Sequence, residues 1–453
     1  MLIACAAVSL AAGQSVRDTY RDAAGRLIGA AVVDEDGWRR LTYLCDRIGN
    51  RLSGSGSLAR AIPWAAGEMK EAGLENVATP PVMVPHWVRG GEEAWLVAPE
   101  RRRLSMLGLG GSIGTPPEGI TAEVVAVNGF DELSALGRKA VEGKIVLYNV
   151  PYEGYGRTVQ YRVAGASRAA ALGAVGALVR SVGPVSLNTP HTGVMDYAKE
   201  APKIPVAALS IEAATQLGRL IDAGNTVKVS LKMEARTLPD APSANVIGEI
   251  RGREKPDEIV VLGGHFDSWD VGQGAQDDGA SCIAAMQALA LMKKLGLRPR
   301  RTIRVVFWTN EENGGAGAKA YYEWAGATVK NHVAAIEMDG GSERPEGFGF
   351  SAAGSTEAAR EKAQARLREI GALLEGIGAG SITRGGGGAD IAPLMHAGVP
   401  GLGLRTSGGR YFEWHHTEAD TLDKINKNDF RLNIATLAVM GYVLADMPER
   451  LLD

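Results

Sequence analysis

From about residue 244 onward, runs that are apolar on both faces alternate with helical stretches. Ile259-Val260-Val261-Leu262 leads into His265, and Thr302–Thr309 and His332–Met338 are two further runs of this kind. Between the first two, Ser281–Leu295 carries a helical pattern. Strands that are apolar on both faces need cover on both faces, so this half predicts an α/β fold, an α/β/α sandwich. Residues 17–77 read as helices, including Gly67–Ala72 with one polar and one apolar face. Between 118 and 235 the character changes. Short β-branched runs (Ala122–Val127, Lys144–Tyr148) alternate there with Ala-rich helical stretches (Ala164–Ala177, Ile211–Ala223) and close on Val227–Met233. Pro/Gly-rich joints at Thr115–Gly119 and Leu238–Pro242 bound this stretch as a compact inserted α/β unit.

Composition narrows the picture. A chain of 453 residues with 45% hydrophobic and 22% charged residues is large enough for two or three domains with a sizeable core. A formal charge of -3 argues against nucleic-acid or acidic-membrane binding, both of which want a basic surface. Past the first residues no apolar run reaches the ~20 residues needed to span a bilayer. The opening, apolar and small until Gln14, predicts a signal peptide over residues 1–13 and an extracytoplasmic protein, secreted or periplasmic. Of the three cysteines, Cys5 lies in that leader, and Cys282 falls in a helix that reads as core. No disulfide is expected.

Chemistry-bearing residues gather where the predicted strands end. The first strand ends in His265-Phe266-Asp267; alternate residues of a strand point the same way, so the imidazole and carboxylate face one side. Then come Asp277-Asp278 just before a helix, Glu311-Glu312 before Gly314-Gly315, Asp339 before two glycines, and His415-His416 after a turn-rich stretch. Each pair alone has a bland explanation; adjacent acids at a helix start, for instance, cap it and oppose its dipole. Their recurrence at successive strand ends does not. Two zinc ions carry four positive charges, which Asp277, Glu312, Asp339 and a shared hydroxide would neutralise while His265 and His416 bind uncharged. Without cations, so many acids in one cleft would repel one another.

With these residues in place, the chain resembles the two-zinc aminopeptidase and glutamate-carboxypeptidase family. The likeness runs through Gly49–Gly54 (GNRLSG), Leu107–Thr121, Arg157–Ser167, His265–Gly274 (HFDSWDVGQG), Gly398–Pro400 and His415-His416-Thr417. It implies a zinc exopeptidase fold with a mixed central sheet. The domains would be an N-terminal catalytic part at 14–117, an inserted protease-associated domain at 118–236 and the main peptidase part at 237–453. It further implies Asp277 as the bridge between two Zn2+, with His265 and Glu312 at one metal and Asp339 and His416 at the other. The resemblance prefers His416 to His415 because the family's ligand directly precedes Thr or Ser, here Thr417, and stands four before the acid of an Asp-Thr pair, here Asp420-Thr421. Glu311 matches the catalytic acid/base and Asp267 the acid that orients His265. The implied activity is hydrolysis of unsubstituted dipeptides by a homodimer. A broader aminopeptidase, a one-zinc glutaminyl cyclase-like transferase and a catalytically inert receptor-like relative are the alternatives. Tyr411, Trp269 and Asp390 are candidate pocket residues; His86, His191, His332 and His396 fit no ligand pattern.

Overall fold

The computed structural model describes residues 15–185 and 187–452; the expected signal peptide and Cys5 lie outside the described residues. Its larger sheet has eight strands in the order Glu75–Ala78, Val246–Ile250, Arg301–Trp308, Lys255–His265, His332–Glu337, Gly401–Thr406, Pro345–Ser351 and Ser381–Arg384. The four strands from Arg301–Trp308 to Gly401–Thr406 run parallel, and antiparallel partners flank them. The sheet is therefore mixed, and the C-terminal ends of its parallel strands open at one edge, where loops can gather reactive side chains.

Alternation along each strand shows why both faces are covered. Val260 and Leu262, Ile303, Val305 and Phe307, and Ala334 and Ile336 point into one core with the helices Ala280–Lys294 and Lys427–Asp446. Ile259, Val261, Val306, Trp308 and Ala335 point into the other, against Ala316–Ala325 and Ala392–His396. Apolar side chains on alternate residues of both faces are what make these strands a middle layer. Cys282, in the first of these helices, and Cys45 are both free and buried.

A second eight-stranded sheet is ordered Arg102–Leu104, Glu92–Ala98, Lys228–Met233, Ile120–Val127, Ile145–Tyr148, Gly176–Arg180, Val206–Leu209 and Met106–Gly108, with apolar clusters on both faces. It takes in three strands upstream of residue 118, so the expected boundary falls inside the unit rather than at its edge. Those strands are short or half-exposed and carry little periodicity. The helix expected at 164–177 also shifts: it spans Tyr155–Ala171, and Gly176–Arg180 is a strand. Alanine enrichment marked the helix but not its ends, which Gly154 and Gly173 set. A two-stranded ribbon, Pro81–Val88 with Arg236–Ala244, links the two units. Among the described residues, no helix is long and apolar enough to cross a membrane.

Candidate metal centre

Asp277 stands at the centre of the cluster. It sits in the turn Ala275–Gly279, just ahead of the helix Ala280–Lys294, and is 4% exposed. Its Oδ1 lies 3.0 Å from His265 Nε2, and its Oδ2 lies 3.3 Å from His416 Nε2. One carboxylate thus faces two imidazoles from opposite ends of the catalytic half. On the His265 side, Asp339 Oδ1 is 3.5 Å from the same Nε2; on the His416 side, Glu312 Oε2 is 3.0 Å away.

All five expected side chains therefore converge; donor atoms of His265, Asp277 and Glu312 lie within 4.8 Å of one another as expected, but the closest pairings are different ones. Asp339 goes with His265 and Glu312 with His416. Lys255–His265 lies between Arg301–Trp308 and His332–Glu337, so the loops carrying Glu312 and Asp339 both start beside it. Glu312 reaches across toward the later loop instead. His415, the rejected alternative, stacks on His416 with ring centroids 3.5 Å apart, and its Nε2 is 3.7 Å from Asp277 Oδ2.

The loops that deliver these groups are held by acids acting on backbone. The Asp420 carboxylate accepts N–H bonds from Ala275 (3.1 Å), Gln276 (2.7 Å) and Asp277 (3.2 Å). The Asp278 carboxylate accepts the N–H of His265 at 3.1 Å. Asp267 acts differently from its expected role. His265 Nδ1 lies 3.0 Å from the Asp267 backbone carbonyl but 3.9 Å from its carboxylate. The carboxylate instead accepts the N–H groups of Glu311 (3.0 Å) and Glu312 (3.3 Å), fixing the bend that turns these two side chains apart. Asn310 and His416 both hold positive φ, 65° and 61°, so the segments carrying Glu312 and His416 are strained where they enter the site.

The second unit also reaches the cluster. His416 Nδ1 lies 3.3 Å from the Thr192 carbonyl, and the Thr192 N–H donates to the His416 carbonyl at 2.9 Å. With Nδ1 facing that carbonyl, Nε2 is left facing Asp277 and Glu312, the arrangement by which outer partners orient a ligating histidine. Arg162, on the helix Tyr155–Ala171, donates to the carbonyls of Val194 (3.2 Å) and Thr192 (3.4 Å) and to the Tyr155 hydroxyl (2.9 Å). It is 4% exposed and, among the described residues, has no carboxylate partner. Beside the cluster lies a cavity of about 360 Å³ whose walls include Tyr155 and Arg162 from this unit and Glu311, Asp339, Tyr411 and Phe412 from the other.

Electrostatics mark the cluster as one that wants cations. Burial, reinforced by Asp339 and Glu312, pushes the Glu311 carboxyl well above the usual range, although His265 opposes it. Burial and the Asp277 charge raise Glu312 to about 7. Burial should lower His416, but Glu312 and Asp277 outweigh it and lift its pKa to about 10. Burial pushes Asp277 up too, yet the facing imidazoles of His265 and His416 hold it well below the ordinary carboxylate value. Asp277 Oδ2 and Asp278 Oδ1 have no hydrogen-bond partner despite burial. Imidazole nitrogens and carboxylate oxygens whose atoms lie within 4.8 Å of one another form the donor set that zinc takes. The residues fit such an ion.

Of the pocket candidates, only Tyr411 lines the cavity. Trp269 is 2% exposed and packs behind His416 against Gly110, where a Cβ would come within 2.0 Å of its ring. Asp390 is 1% exposed, and the Glu337 charge helps raise its pKa. His191 is buried behind the His415–His416 loop, and His332 is buried against Tyr321. The functional residues that sequence reasoning passed over are Asp420, Thr192 and Arg162. Asp420 had served only as a landmark. Arg162 lies in the matching stretch 157–167, where nothing distinguished it from its neighbours.

Comparison with known proteins places the chain among peptidases. The family described as Peptidase family M28 matches residues 245–440. The chain is 43% identical over 435 residues to carboxypeptidase Q of Bos taurus, covering 95% of this chain and 90% of that protein. It is equally similar, 43% over 433 residues with 95% and 90% coverage, to carboxypeptidase Q of Homo sapiens. A solved Peptidase M28 precursor from Shewanella amazonensis SB2B superposes with a TM-score of 0.91 at 33% identity, covering 96% of this chain and 98% of that one. BSAP, a zinc aminopeptidase from Bacillus subtilis, shares the fold at 19% identity, TM-score 0.66, over 92% of this chain and 96% of that one.

Proposed function

Because this chain belongs to peptidase family M28 and is a zinc metallopeptidase, we propose that it hydrolyses unsubstituted dipeptides at a two-zinc site with Glu311 as general acid/base. One observation carries the two-metal reading: Asp277 offers one oxygen to each of two imidazole–carboxylate pairs, His265 with Asp339 and His416 with Glu312. Zinc bound there would supply a Lewis acid for the scissile carbonyl and lower the pKa of a nearby water.

The remaining steps belong to the chain's own groups. Glu311 lines the cavity and has a raised pKa, which suits it to take a proton from the attacking water and return it to the leaving amine. Asp267 holds the N–H groups of both glutamates, so Glu312 can face His416 while Glu311 faces the substrate. Arg162 supports the restriction to dipeptides. Its Nη1 is 3.5 Å from His416 Nδ1, close enough to the cluster that the C-terminal carboxylate of a dipeptide could pair with it while the peptide bond sits at the metals. Each extra residue would carry that carboxylate ~3.5 Å further along. We read the second unit as the family's protease-associated insertion and the apolar first 13 residues as an export signal.

Bound-metal quantitation, with hydrolysis of di-, tri- and tetrapeptides before and after chelation, tests the proposal. Two zinc ions per chain and a sharp drop from di- to tripeptides are expected. The Glu311→Gln protein should keep its zinc and lose about 10²–10⁴-fold in kcat. Near-normal turnover in metal-loaded Glu311→Gln would remove Glu311 from its role, and equal rates on tripeptides would favour the broader aminopeptidase.

A further inference from the structure

The cavity has two dissimilar walls. One is acidic and faces the cluster. The other is aromatic and spans both units. Tyr155, on the smaller unit, stacks on Phe412 of the larger with ring centroids 5.1 Å apart and planes inclined by 23°. Tyr152 adds a third ring at 6.2 Å from Phe412, and Tyr411 packs edge-on to Phe412 at 5.1 Å. Tyr155 and Phe412 are only half-buried, and both line the cavity.

This wall adjoins Arg162. The guanidinium centre is 5.5 Å from the Tyr155 ring centroid, and Nη2 donates to the Tyr155 hydroxyl at 2.9 Å. A residue whose α-carboxylate pairs with Arg162 carries its side chain on the adjoining Cα. That side chain therefore starts two bonds beyond the paired carboxylate carbon, and the surface within its reach is the Tyr155–Phe412 wall. Among the described residues lining the cavity, Arg162 is the one permanently charged cation, and the carboxylate occupies it. An acidic side chain would find no partner there, and leaving a charge unpaired in such a site is costly. A flat apolar side chain would gain contact area against the rings.

We propose that the Tyr155–Phe412 wall is the specificity subsite for the C-terminal residue of the substrate, taking a large apolar side chain, aromatic above all, and discriminating against glutamate and glycine. This rests on the dipeptidase reading above. The test uses the full zinc-loaded chain and the dipeptides Ala-Phe, Ala-Met, Ala-Glu and Ala-Gly. Ala-Phe should exceed Ala-Gly and Ala-Glu in kcat/KM by about 10-fold or more. Phe412→Ala and Tyr155→Leu should each lower the Ala-Phe to Ala-Gly ratio by about 10-fold. Ala-Glu or Ala-Gly cleaved as fast as Ala-Phe, or variants that slow every substrate by one common factor, would overturn the assignment. Calorimetric binding of free L-phenylalanine, glycine and L-glutamate probes the same surface without turnover. A phenylalanine preference with no dipeptide cleaved would sink the dipeptidase reading and keep the subsite; equal binding of all three would sink the subsite whatever the turnover.

Discussion

Replacing Asp420 tests how Asp277 is held. Its Oδ1 accepts the N–H groups of Ala275 and Gln276, its Oδ2 accepts that of Asp277, and burial pushes its pKa up to about 7 against those donors. Hydrogen bonds to a charged acceptor contribute ~1.5–3 kcal/mol each, and a stranded buried donor costs ~1–3 kcal/mol. Asp420→Asn keeps an oxygen for Ala275 and Gln276 but turns an amide N–H₂ toward the Asp277 N–H, so one of the three bonds is lost. Asp420→Ala loses all three. We expect ~1–2 kcal/mol of destabilisation for Asn and roughly 3 kcal/mol or more for Ala, with zinc affinity falling ~10–100-fold in the alanine variant and less in the asparagine one. Zinc titration against a chromogenic chelator, on protein shown to be folded by denaturant unfolding, reads both. A folded Asp420→Ala protein with wild-type zinc affinity would show that the turn does not need this carboxylate and would refute the reasoning.

Other outcomes follow from the same geometry. Chelation should lower Tm and added zinc restore it, since an ion at one hundred times its Kd adds about 2.7 kcal/mol; an unchanged Tm in differential scanning calorimetry would deny the cluster its cation. Arg162→Met should raise KM for a dipeptide about 10–100-fold and erase its advantage over the same dipeptide with a C-terminal amide, as steady-state kinetics would show. His332, remote from the cluster, is held neutral by burial with a pKa of about 4, hydrogen-bonded to the Tyr321 hydroxyl at 2.8 Å. Its folded pKa lies below the unfolded one, so the unfolded chain takes up the proton first as pH falls. Stability should then drop by ~1.4 kcal/mol per pH unit between about 6.5 and 4, roughly 3 kcal/mol in all. His191, also lowered to about 4 by burial, adds a like contribution, so urea unfolding of His332→Gln across that range should show a slope shallower by the His332 share.

The central fold was legible because its signal is local. Largely apolar, β-branched runs such as Ile259–Leu262 and Thr302–Thr309 read as inner strands, and helix Ala280–Lys294 was foreseen to within one residue at each end. Four of the five metal-facing residues were legible because each ends or follows a strand or precedes a helix, and His416 because it stands in a His-His pair. Their partnership was not. Whether Asp339 or Glu312 stands beside His265 depends on how the loops after two flanking strands turn, which no local pattern encodes. Asp267 shows a different blindness: its spacing from His265 suggested a side-chain contact, while the fold gives His265 the backbone carbonyl and sends the carboxylate to the Glu311–Glu312 bend. Arg162 and Thr192 were invisible for a third reason. They lie on a helix and a loop of the smaller unit, more than two hundred residues from His416, and only tertiary packing brings them to it.

That packing bears on how such a protein can change. The backbone of Thr192 both donates to and faces His416, so the smaller unit is a working half of the site rather than a removable cover. Arg162, proposed to read the substrate's end, hydrogen-bonds the same stretch of chain at Thr192 and Val194. A mutation that reshapes that stretch to admit a longer peptide would also disturb the imidazole beside it. Breadth of substrate and grip on the ion are thus tied together, and a lineage could relax one only by repairing the other.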